Sequence, residues 1–108
     1  MKSKDIKNYW DKRSKKFVTN LKATTDNPTI KKLEVSAIYK AIKKTGLHKK
    51  RGIEILEVGC GNGYNCFALY ELLPDFKFTG LDYIHEMVKN ANRIKSHSPQ
   101  KYSKITFH

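Results

Sequence analysis

The chain has 108 residues, 39% of them hydrophobic and 11% aromatic, enough for one small domain with one core. No apolar run approaches the roughly 20 residues of a membrane span, and the opening Met-Lys-Ser-Lys carries no apolar leader. The expectation is a soluble, cytoplasmic protein. The net charge of +12 falls wholly in the first 51 residues, which hold 16 of the 22 Lys+Arg and 4 of the 10 Asp+Glu. Such a basic half suits an anionic partner such as nucleic acid. Only Arg13, Arg51 and Arg93 are arginines, however, and a solvated lysine face is the simpler account.

Residues 1–26 are polar and lysine-dense, with aromatic rings at Tyr9, Trp10 and Phe17. They show no sustained period, which leaves a short helix and a mobile arm both open. Asn27-Pro28 then starts a helix, with Asn as N-cap and Pro in the first turn. Ile30, Leu33, Ala37, Ile38, Ala41 and Ile42 keep helical spacing, and Gly46 stops the run. Ile53 to Val58 is too short for a helix and rich in β-branched residues, so it is predicted to be a buried strand. A glycine turn follows, then a helix from about Tyr64 to Leu73 with Cys66, Phe67, Tyr70 and Leu73 inward, ended by Pro74. Phe76 to Leu81 is the second strand, with Asp82 at its carboxyl end. Ile84, Met87, Val88, Ala91 and Ile94 mark the inner face of another helix, closed before Pro99. Lys104 to Phe107 begins a third strand. Alternating strand and helix predicts an α/β fold, the first half of a doubly wound parallel sheet of about three strands, behind an N-terminal helical extension.

The chemistry concentrates at Glu57-Val58-Gly59-Cys60-Gly61-Asn62-Gly63 and at Asp82. Glycines at the end of a parallel strand let backbone approach a ligand closely, and the following helix presents its amides and positive dipole end. Ligands of open α/β sheets bind outside the carboxyl ends of the strands. Asp82, ending the second strand, can accept from both hydroxyls of a ribose, and Glu57 from an ammonium or a water. Its alternative is to cap the helix beginning near Ile84. A nucleoside triphosphate would need a lysine and a Ser/Thr after the last glycine, and neither is present. A dinucleotide would need glycine where Tyr64 stands, and Glu57 is ill placed near a pyrophosphate. A cationic, phosphate-free adenosyl ligand fits better, since carboxylates end both strands.

The run Ile55 to Gly63 resembles the Glu/Asp-x-Gly-x-Gly-x-Gly signature of class I S-adenosylmethionine-dependent methyltransferases, and Phe78 to Tyr83 resembles their second strand with its ribose-binding acid. Asn8 to Arg13 is similar to the start of many small-molecule members. The resemblance implies a Rossmann-like fold and S-adenosyl-L-methionine as cofactor. It implies that Gly59, Gly61 and Gly63 face the methionine part with the help of Glu57, that Cys60 among them belongs to the cofactor site, that Asp82 holds the ribose, and that Tyr83 and Ile84 flank the adenine. Tyr9 and Trp10 are candidate lid residues; anchoring the arm on the core is the equal alternative.

No metal site is expected: Cys60 and Cys66 lack metal or disulfide spacing and are taken as buried thiols, and His48, His85, His97 and His108 as solvated. Family members continue past the third strand with a fourth strand and most of the substrate pocket. The chain is therefore expected to be a truncated N-terminal half, poorly soluble and weak in cofactor affinity, with its catalytic residues unknown. The acceptor expected is a small molecule or a glycan. A nucleic-acid methyltransferase fragment and a non-catalytic adenosyl-binding module are the alternatives.

Overall fold

The computed structural model describes residues 2–20, 23–25 and 27–108. The elements run α1 (Ser3–Phe17), α2 (Pro28–Lys44), a short 3-10 turn (Leu47–Lys49), β1 (Glu54–Val58), α3 (Tyr64–Leu72), β2 (Lys77–Leu81), α4 (His85–Ser96) and β3 (Ile105–Phe107). The three strands form one parallel sheet in the order β1-β2-β3, with Ile55 opposite Phe78 and Phe78 opposite Ile105. This is half of a Rossmann-like fold, as the alternation of elements predicts. Among the described residues, no helix is long and apolar enough to cross a membrane.

One face of the sheet carries Phe78, Ile105 and Phe107, and both crossover helices pack there through Cys66 and Leu69 of α3, Leu73 just after it, and Ala91 of α4. Tyr102, between α4 and β3, adds an edge-on ring against Phe67 at 4.8 Å. The opposite face carries Leu56 and Val58, which are 58% and 77% exposed. β1 is the sheet edge that a chain without a fourth strand is expected to expose, so its burial alternates along the strand instead of being complete.

The helix at residues 28–44 starts as predicted, with Asn27 Oδ1 accepting from the Thr29 and Ile30 amides at 3.1 and 3.3 Å. Its inner face differs. Val35, Ile38, Tyr39 and Ile42 meet the core, whereas Ile30 and Leu33 are 59% and 64% exposed. The six apolar positions span more than one face, and the bulkier Tyr39 side of α2 is the one that finds α3.

The lysine-dense opening is a helix rather than a mobile arm. Ile6, Trp10, Ser14 and Phe17 fall four, four and three residues apart, so they share one face. The face is broken only by Ser14, which is fully buried and satisfies its hydroxyl by donating to Asp11 O at 2.6 Å. Trp10 and Phe17 pack with Ala23, Ile84 and Met87 in a second apolar cluster. Asn90 of α4 donates to Ser14 O at 3.1 Å across this junction. The expected domain boundary at residue 26 lies outside the described residues.

Candidate functional site

β1 and β2 end side by side, and the turn after β1 is hung on the end of β2. The Gly59 and Cys60 amides both donate to Leu81 O, at 2.7 and 2.9 Å. Asp82, one residue further on, is held between two backbone amides. Gly61 N–H donates to its Oδ2 and Ile84 N–H to its Oδ1, each at 2.8 Å. Asp82 is thus not the N-cap of α4, a place taken by Ile84 without side-chain help. It makes an Asx turn into that helix and fastens it to the glycine turn.

The segment after α1 closes over this turn. Asn62 is 1% exposed and its amide donates to Val18 O at 3.2 Å and Asn20 O at 2.9 Å. Gly61 faces the side chain of Thr24 so closely that a Cβ there would meet its methyl group. The result is a cavity of about 340 Å³ lined by Gly59, Cys60, Gly61, Asp82, Tyr83 and Ile84, with Trp10, Ile6 and Thr24 from the N-terminal segment. Met87 and Lys31 complete the wall. Ile84 and Met87 are each 2% exposed, while Tyr83 stands 64% exposed.

Six of the eight residues expected to bind the cofactor, and one of the two lid candidates, therefore line one cavity. Three candidates do not reach it. Glu57 shares the helix-covered face with Ile55, and Asn65 at the start of α3 donates to its Oε2 at 2.6 Å. It lines a separate depression with Ile38 and Phe78, and burial raises its carboxyl above the ordinary range. Gly63 serves packing. A Cβ on it would lie 2.7 Å from the Phe107 ring and 2.9 Å from the Phe67 ring. Neither Gly63 nor any residue of α3 is among those lining the cavity. Tyr9 is 44% exposed and packs edge-on against Trp10 at 5.0 Å.

Both cysteines are buried and free. Burial, and then the charges of Asp82 and Glu57, push the Cys60 thiol up to about 12, and burial pushes Cys66 up as well. Among the histidines, His85, His97 and His108 are exposed, but His48 is half-buried and its Nδ1 has no partner among the described residues, so it is not fully solvated as expected.

Sequence reasoning passes over Asn62, Thr24 and Lys31. Asn62 stands inside the glycine motif and could have been found there, because a buried amide at such a turn must bond something. Thr24 and Lys31 reach the cavity only through the docking of the N-terminal segment and α2.

A family model described as a methyltransferase domain matches residues 49–108. No curated protein matches the chain. Among solved structures, the plantazolicin methyltransferase BpumL in complex with SAH is 18% identical, with a TM-score of 0.45 over 97% of this chain and 42% of that one. The chain thus spans less than half the length of that protein. The family match takes in all three strands and the glycine turn, more than half of the residues present, and by it the chain belongs to the methyltransferase-domain family.

Proposed function

We propose that the chain is the cofactor-binding half of an S-adenosylmethionine-dependent methyltransferase acting on a small-molecule or glycan-type acceptor. Residues 1–26 serve as an arm over the cofactor cavity and residues 27–108 as the domain that holds the cofactor. The observation that carries this reading is the joint placement of Gly59, Gly61 and Asp82 on one cavity at the carboxyl ends of β1 and β2.

The residues present suit the cofactor. Nothing lies within 4 Å of where a Gly59 Cβ would be, so open space lies beside this glycine of the turn. Each Asp82 oxygen accepts one amide and keeps acceptor capacity for a ribose hydroxyl. Ile84 and Met87 give an apolar floor for a purine, and the Tyr83 ring stands at the rim. Trp10 and Ile6 line the cavity from α1. When bound, S-adenosylmethionine supplies an electrophilic methyl group on a sulfonium; the part of these residues is to bind and orient it. A small acceptor is favoured over nucleic acid because Lys31 is the one basic residue among the described residues lining the cavity.

Titration calorimetry with S-adenosylhomocysteine and NAD tests the cofactor reading. Binding of the former with little response to the latter is expected; preferential binding of NAD would overturn it.

A further inference from the structure

We infer that the open edge of β1 and the outer stripe of α2 form a self-association surface, through which two copies of the chain pair β1 against β1 about a twofold axis. The inference goes beyond the cofactor reading and does not depend on it.

The sheet has two edges, and they differ. The Ile53 carbonyl accepts from the Lys77 amide and the Gly59 amide donates to Leu81 O. Alternation along the strand therefore turns the amides and carbonyls of Glu54, Leu56 and Val58 away from β2, to the open side. On β3 the same alternation turns Ile105 outward, but its amide donates to Tyr102 O and its carbonyl accepts from Lys95 Nζ. A lysine laid across an edge is one of the ways in which sheets prevent further pairing. A head-to-tail contact of β1 with β3 is thereby blocked at Ile105, which leaves β1 to meet β1.

Two copies of one edge pair antiparallel about a dyad normal to the sheet. With Leu56 on the dyad, Glu54 stands opposite Val58 of the other copy and Glu57 opposite Ile55, so no like charges face each other. A dyad in that direction keeps the helices of both copies on the same face of the joined sheet. There α2 flanks the β1 edge: Ile38 lines a depression with Ile55, Leu56 and Val58, and Glu34 reaches Glu57 through Asn65. Further round α2, Ile30, Leu33, Ala37 and Ala41 recur at helical intervals as a second apolar stripe, and all four are exposed. The midpoint of this stripe falls between Glu34 and Ile38, the residues that reach β1 and its neighbours. The dyad that pairs the strands therefore also sets the two stripes side by side and antiparallel. Ile30 then meets Ala41 of the other copy and Leu33 meets Ala37, large against small at both places. A five-residue strand edge alone falls short of the roughly 800 Å² per partner of a stable dimer, and the helix stripe adds apolar area to it. None of these residues lines the cavity at the glycine turn.

Sedimentation equilibrium on the full chain tests the pairing. The unsubstituted protein should have twice its chain mass of 12.5 kDa at micromolar concentrations. Leu56→Lys and Leu56→Glu each set like charges against each other on the dyad and should weaken association roughly tenfold or more. Circular dichroism should be unchanged in both, because Leu56 is exposed. Mixed in equal amounts, the two variants should recover a dimer. Leu33→Lys, on the helix stripe alone, should weaken the pairing as well. A monomeric parent would mean that this edge is bare or taken by a different chain, and growth beyond the dimer would mean that it pairs without a dyad; either overturns the inference. So would dimers that persist in both Leu56 variants, or a mixture of the two that stays monomeric.

Discussion

Asp82 and Gly61 lie 21 residues apart in the chain, yet the Gly61 amide donates to Asp82 Oδ2 at 2.8 Å, and the other carboxylate oxygen is bound by Ile84. The acid of the second strand thus shapes the glycine turn as well as facing the cavity. Replacement by alanine should leave two amide donors without their acceptor and cost about 1–3 kcal/mol of stability. Asp82→Asn keeps one acceptor oxygen, so it should lose less stability while still weakening S-adenosylhomocysteine at least tenfold. Urea unfolding and calorimetry on the two variants separate the structural share from the binding share. Equal affinity in Asp82→Asn and the parent would remove Asp82 from the ligand's partners.

The glycines of the motif should divide by role. Gly63→Ala places a Cβ 2.7 Å from Phe107 and 2.9 Å from Phe67, at a φ of +91° that glycine tolerates best. Overpacking of this kind costs roughly 1–3 kcal/mol. Gly59→Ala meets no atom within 4 Å and carries the backbone strain alone. It should unfold at higher denaturant than Gly63→Ala yet lose more cofactor affinity. Adding Phe107→Leu should rescue part of the stability of Gly63→Ala and none of the affinity of Gly59→Ala. Denaturation midpoints of the singles and doubles supply the coupling.

What the sequence discloses here is what local chemistry encodes. Asn27-Pro28, Pro74 and the glycine turn start and stop elements by capping and backbone restriction, and all three do so where expected. The cavity was legible at Gly59, Gly61 and Asp82 because strand order alone brings two strand ends together. The direction of Glu57 was not legible, because its position in the motif does not reveal it. Alternation along β1 turns it to the helix-covered face, where the Asn65 amide waits. The inner face of α1 was obscured by one buried serine among lysines, and Lys31 was one cation among many until α2 docked.

Asn62 ties the glycine turn to the N-terminal segment, so its loss should loosen that segment without dissolving the sheet. Asn62→Ala leaves Val18 O and Asn20 O without their donor. Hydrogen exchange should quicken in α1 and residues 18–20 and remain slow in β2 and β3. Trp10 is the only tryptophan, and its emission should shift to the red as α1 moves off the cavity. A red shift accompanied by fast exchange throughout the sheet would mean global unfolding and would remove the local clip.

The thiols should be inert in the folded protein. Burial lifts Cys60 from 9.0 to about 12, which cuts its thiolate fraction near neutral pH by roughly a thousandfold. Cys66 is raised for the same reason and is 2% exposed. Alkylation by iodoacetamide at pH 8 should therefore be slow for both and become rapid in urea. Fast labelling of Cys60 in the native state, followed by peptide mass, would show that the cavity wall opens readily.

Glu57 should leave a signature in the pH dependence of stability. Burial is the largest influence on its carboxyl and raises it above 4.5, against the lowering effects of Asn65 and Lys31. The folded state then binds this proton more tightly than the unfolded state, so stability declines as pH rises from about 4.5 through the folded value. Glu57→Gln keeps an oxygen to accept from Asn65 and removes the titration. The other carboxyls are common to both proteins, so the difference between their stability curves isolates Glu57. That difference should favour the glutamine variant increasingly with pH across this window and level off above it. Urea melts at closely spaced pH values measure it. A difference of the opposite slope would mean that the Asn65 hydrogen bond and the Lys31 charge outweigh burial, and that the ionised Glu57 helps to hold α3 against β1.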